Sequence, residues 1–223
     1  MRILSLITIT AMLITSLCGC TSNSAEASAL ETSSSISDIK PMGGYTTPES
    51  PAVNDKLKEI CNKALSSRTD MSYTPIALIS TQVVAGTNYI ILFNCKHLID
   101  NSVDTYSIGY IYADLNGGSS CTKMLDSTTP TDTFPEEPMA GGLTKPETPD
   151  LTESALNAFN KAVTDLSQNY TPLALLSTQV VAGTNYKIFC SQAVVGKTDY
   201  YVLTIYEDLK GNVKITDTVK LDV

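Results

Sequence analysis

The chain has 223 residues, with 23 Asp and Glu against 15 Lys and Arg and a formal net charge of −8. An acidic chain without basic runs is a poor binder of nucleic acid or of anionic lipid, and its charge serves solubility.

Arg2 is followed by a charge-free apolar run, residues 3–17. That run is shorter than the roughly 20 residues a membrane-spanning helix needs, and it has the length and flanks of a secretory signal. It ends in Leu17-Cys18-Gly19-Cys20, which resembles the lipobox of bacterial lipoproteins, although Cys18 departs from the usual small or hydroxyl residue. The resemblance implies removal of residues 1–19, acylation of Cys20 and an extracytoplasmic protein anchored at the bacterial membrane surface. Ordinary signal cleavage with free secretion is the alternative. Firm anchoring takes more than one acyl chain. The mature chain would lose Arg2 and no acid, for a net charge of −9. Residues 20–40 are rich in Ser, Thr, Ala and Glu and are expected to form a disordered tether.

Residues 41–126 and 139–223 are two copies of one unit, joined by a proline-containing linker, 127–138. Tyr73–Tyr89 and Tyr170–Tyr186 are identical at 15 of 17 positions, and the other two exchange Ile for Leu. Each copy opens with a helix. Ser50-Pro51 and Thr148-Pro149 supply a hydroxyl cap before a proline suited to the first helical position. Val53, Leu57, Cys61 and Ala64, and likewise Leu151, Ala155, Phe159 and Ala162, form one apolar stripe. Four strand-like runs follow in each copy: 73–84, 87–97, 105–113 and 119–125, then 170–181, 184–193, 198–207 and 212–223. Alternation directs Tyr89, Ile91, Phe93 and Cys95 towards the helix, with Tyr186, Ile188 and Cys190 as counterparts and Lys187 on the outer face. The expected fold is α+β, each unit being one helix packed across a four-stranded antiparallel sheet.

The string Gln82-Val83-Val84-Ala85-Gly86-Thr87-Asn88-Tyr89 recurs unchanged as residues 179–186. It resembles the first inhibitory hairpin of the cystatin family, the reversible protein inhibitors of papain-like cysteine proteases. The resemblance implies two tandem cystatin-like domains, closer to the disulfide-free stefins than to the secreted cystatins. It also implies a wedge that plugs a protease cleft without covalent chemistry. Its first segment would be an N-terminal trunk, Gly43 and Gly44 in one copy and Gly141 and Gly142 in the other. The hairpins Gln82 to Gly86 and Gln179, Val180, Val181, Ala182 and Gly183 would form the second. The third is matched only by the loops bearing Leu115 and Asn116, and Leu209 and Lys210. The chain has no Trp, so the large aromatic anchor usual in that third segment is missing, and inhibition weaker than that of the strongest family members is expected. The expected partner is a papain-like protease of host, competitor or the cell itself; no cofactor is expected. The rival function is a non-inhibitory adhesion or ligand-binding module reusing the fold.

Cys61, Cys95, Cys121 and Cys190 are split unevenly between the copies, which excludes a repeated disulfide framework and leaves open a Cys61–Cys95 bridge or buried thiols. His97 is the single histidine. No metal-ligand, phosphate-loop or nucleophile pattern accompanies it, so catalysis is not expected.

Overall fold

The computed structural model describes residues 43–69, 71–99, 102–164 and 166–223. The signal segment, Cys20 and the tether lie outside the described residues. Helix α1 (Asp55–Leu65) precedes strands β1 (Met71–Val84), β2 (Gly86–His97), β3 (Thr105–Ala113) and β4 (Ser119–Pro130), which form one antiparallel sheet in that order. The second copy contributes β5 (Leu143–Thr144), helix α2 (Glu153–Val163), β6 (Tyr170–Val181), β7 (Gly183–Val194), β8 (Lys197–Glu207) and β9 (Val213–Lys220), a five-stranded antiparallel sheet. The fold is α+β, with two helices and two sheets among the described residues. The fifth strand was not expected. It is two residues long and pairs with Gln179 and Thr178, where the first copy has only a bridge between Thr46 and Thr81.

Both helices start later than the Ser-Pro and Thr-Pro signals suggest. Asn54 and Thr152 are the caps; their side chains accept from the backbone N–H of Leu57 and Ala155 at 2.9 and 3.2 Å. Pro51 and Pro149 instead lie against the sheets, where their carbonyls accept from Leu78 and Leu175 N–H at 2.8 Å. Two bulges in each of β1 and β6 break the ladder near Leu78 and Leu175, so these N–H groups turn outward and the proline segments satisfy them.

Each helix covers one face of its own sheet. Leu57, Cys61 and Leu65 pack on Ile91, Phe93, Cys95 and Ile111; Ala155, Ala158 and Phe159 pack on Ile188, Cys190, Leu203 and Ile205. The opposite faces are not solvated, as one-sided alternation implied, but meet each other. Ala77, Ile79, Leu92, Tyr106 and Ile108 share a core with Ala174, Leu176, Phe189, Tyr200 and Val202. These are the same positions in the two copies, so the contact is an internal pseudo-twofold between like surfaces. The layers run helix, sheet, sheet, helix, and residues 40–223 form one compact unit.

Residues 127–138 tie into this unit. The first four extend β4. Ser127 and Thr128 donate side-chain hydroxyls, and Thr128 its N–H, to the Asp222 carboxylate. Asp132 accepts from Ser177 Oγ at 2.6 Å and pairs with Lys187. Lys187 therefore faces the partner sheet, with its charge met by Asp132. The first copy has Ile90 at this position and needs no counter-ion.

Candidate functional site

In the first copy, Val84 pairs with Gly86 and Val83 with Thr87, leaving Ala85 alone at the tip of the β1–β2 hairpin. The second copy repeats the register with Val181–Gly183 and Val180–Thr184 around Ala182. The tips project: Val83 is 73% exposed and Val180 68%. Both valines are paired in the hairpin ladder, yet most of each side chain faces solvent.

The glycines behind the tips do have one. Gly86 and Gly183 adopt φ of 131° and 135°. A Cβ on Gly86 would lie 2.4 Å from Ala113 O and 2.8 Å from the Tyr112 ring; on Gly183 it would lie 2.3 Å from Glu207 O. Glycine lets the hairpin lie directly on the neighbouring β3 or β8 strand. Tyr112 and Tyr206 then donate their hydroxyls to the carbonyls of Ala85 and Ala182, at 2.5 Å in both copies. These two tyrosines were missed in the sequence. The signal was there, since Ile111-Tyr112-Ala113-Asp114-Leu115 is echoed by Ile205-Tyr206-Glu207-Asp208-Leu209.

The amides of Gln82 and Gln179 bond within their own copies. Gln82 Nε2 donates to Gly43 O at 2.5 Å while its Oε1 accepts from Asn88 Nδ2 at 2.7 Å. Gln179 does the same with Gly141 and Asn185 at 2.8 and 2.9 Å. Each glutamine thus fastens the segment before the helix to its hairpin, bringing Gly43 and Gly44, or Gly141 and Gly142, beside the tip.

The loop after β3 lies at the same end of the sheet, because Thr87 pairs with Ala113. Asp114 Oδ1 accepts from the N–H groups of Asn116 and Gly118 at 2.7 and 2.8 Å; Asp208 Oδ1 accepts from those of Lys210 and Asn212 at 2.8 and 2.9 Å. These bonds hold the Asp208 carboxyl below its ordinary pKa, the Asn212 side chain contributing most. Each rigid turn pushes a leucine outward, Leu115 at 84% exposure and Leu209 at 85%. A hollow lined by Lys56, Lys63, Gly86, Thr87 and Leu115 lies between α1, the hairpin and the loop in the first copy. All three expected segments therefore meet at one edge of each sheet.

The two edges lie at opposite ends of the unit. Ser80 and Ile90, near the first tip, share a cleft with Ser191 and Lys197, at the end of the second sheet remote from Gly183. Thr74 and Asn94, remote from the first tip, meet Lys145 and Leu176 near the second.

Cys61, Cys95, Cys121 and Cys190 are free, and burial pushes the Cys61 thiol up to about 12 and raises that of Cys190. Among the described residues no group of three or more His, Cys, Asp or Glu side chains could hold a metal ion, and no helix is long and apolar enough to cross a membrane. No protein-family model and no curated protein matches the chain.

Proposed function

We propose that the chain is a reversible, noncovalent inhibitor of papain-like cysteine proteases, with two cystatin-like heads held outside a bacterial cell by a lipid on Cys20. The observation that supports this reading is the pair of glycine-backed tips whose exposed valines lie at the same end of the sheet as an exposed leucine loop, once in each copy. Small rigid apolar side chains lose little conformational entropy on entering a groove. The tips have no fixed nucleophile or scissile-bond presentation, so such an inhibitor obstructs rather than reacts. That the edges lie at opposite ends supports one protease molecule for each head. Two heads raise avidity only against a multimeric or surface-bound target.

A second reading is favoured by the internal work of Gln82, Gly86 and Asn88. Those residues are explained by the fold alone, which suits a binding module that inhibits nothing. The valines and leucines separate the readings, because only inhibition requires them at a protease cleft. Active-site-titrated papain with increasing inhibitor is the test. Inhibition is expected to extrapolate to as many as two enzymes per chain. Undiminished peptidase activity at micromolar chain, across several papain-like enzymes, would leave the binding module.

A further inference from the structure

The internal pseudo-twofold creates two related clefts between the sheets, one at each end. The first is lined by Ile76, Asn94, Tyr106 and Leu176 and is largely filled by the chain itself, residues 131–134, leaving about 120 Å³. Thr131 N–H donates to Asp104 O at 2.8 Å and its hydroxyl to Asn94 Oδ1 at 3.1 Å. Asp132 meets Ser177 and Lys187, and Phe134 lines the wall.

The second cleft is built from the equivalent positions, Leu173, Ser191, Tyr200 and Ile79, and no strap of the described chain lies in it. It measures about 600 Å³, within the range of roughly 300–1,000 Å³ typical of ligand sites. We propose that this open cleft binds an extended peptide segment of a partner, apolar at its buried residue and acidic at its exposed one. Its twin shows the kind of occupant the geometry takes, since there an extended stretch of backbone carries one carboxylate and one aromatic ring into the gap.

The chemistry of the lining sets the difference between the two occupants. Ile90 stands where the filled cleft has Lys187, so a carboxylate at that depth would go unpaired, and an aliphatic or aromatic side chain fits beside Ile79, Ile90, Leu125 and Leu173. The positive groups lie at the mouth. Lys123 sits 5.5 Å from the Tyr110 ring centroid, and Lys197 and Lys220 share Asp199 at 2.8 and 2.7 Å. Lys123 and Lys197 line the cleft with Asp199 as its one acidic side chain, and Lys220 reaches Asp199 from outside the lining, in a chain of net charge −8. That local excess complements an acidic residue at the mouth.

The probe is a fluorescein-labelled peptide of residues 129–137 with isoleucine in place of Asp132, titrated with the full chain by fluorescence polarisation. Saturable binding is expected, weakened about tenfold or more by Ser191→Trp, which fills the cleft, and similarly by Lys123→Glu with Lys197→Glu. The second pair of changes is on the surface, so it reports even if the tryptophan disturbs folding. The unaltered strap sequence, with Asp132 restored, should bind about tenfold more weakly, and Ile90→Lys should reverse that order. No saturable binding at chain concentrations on the order of 1 mM, binding indifferent to both sets of variants, or dimerisation through the cleft in sedimentation would each overturn the proposal.

Discussion

Removing Asp132 isolates a place where the two copies solve the same packing problem differently. Its side chain is 7% exposed and that of Lys187 28%, and each is the other's ionic partner. Asp132→Ala leaves an ammonium group facing the partner sheet with its counter-ion gone and Ser177 without its acceptor. Breaking a fully buried pair costs about 3–5 kcal/mol. Lys187 keeps some access to water, so screening reduces the expected loss to about 2–3 kcal/mol. For a unit of this size that is a fall in Tm of about 4–12 °C. Lys187→Ile alone should also destabilise, because it strands the Asp132 carboxylate. The double variant Asp132→Ala with Lys187→Ile reproduces the first copy's solution, an aliphatic side chain at the position of Ile90. It should recover most of the loss, as replacement of buried ion pairs by apolar groups often does. Urea denaturation of all four proteins closes the cycle. A double variant no more stable than the worse single one would refute the idea that the strap neutralises Lys187 inside a shared core.

Three further outcomes follow from the geometry. Gly86→Ala forces a Cβ against Ala113 O and should detach the tip from Tyr112, costing about 2–4 kcal/mol by denaturation from strain and a lost hydrogen bond. In the folded chain, Cys121 should react with a thiol reagent well before Cys61, Cys95 and Cys190, whose thiols are buried; equal rates, followed by peptide mapping, would contradict the packing. Asp222, held down to about 2 by the Ser127 and Thr128 hydroxyls and the Thr128 N–H, contributes stability that is present above its ordinary pKa near 4 and lost as pH falls through 2. The Tm advantage of wild type over Asp222→Asn should therefore be constant from pH 7 to about 5 and shrink below pH 4.

The helix-facing side of each sheet was legible because Tyr89, Ile91, Phe93 and Cys95 alternate cleanly. The opposite face was not, although its clue was present: Ile90 and Leu92 are as apolar as their neighbours, the pattern of a strand buried on both sides. Lys187 hid this in the second copy, since a lysine argues for solvent until its counter-ion is found 55 residues away. Proline at Pro51 and Pro149 signalled a helix start, but the caps are Asn54 and Thr152, one turn further on, because the proline segments are held on the sheets. The hairpin itself was plain from its repetition. Its internal economy was not, because the bond from Gln82 to Gly43 spans 39 residues and depends on the sheet being formed.

The bonds of Gln82 and the close approach at Gly86 also decide how the proposed function is best tested, since replacing either would perturb the fold. Val83 and Val180 are free of that objection. The most direct measurement is papain inhibition by wild type beside the double variant Val83→Asp with Val180→Asp, with Tm recorded for both. The proposal predicts unchanged Tm and an inhibition constant weakened by about 3 kcal/mol, more than a hundredfold, because a carboxylate would be driven unpaired into the cleft. Equal inhibition by the two proteins would contradict it.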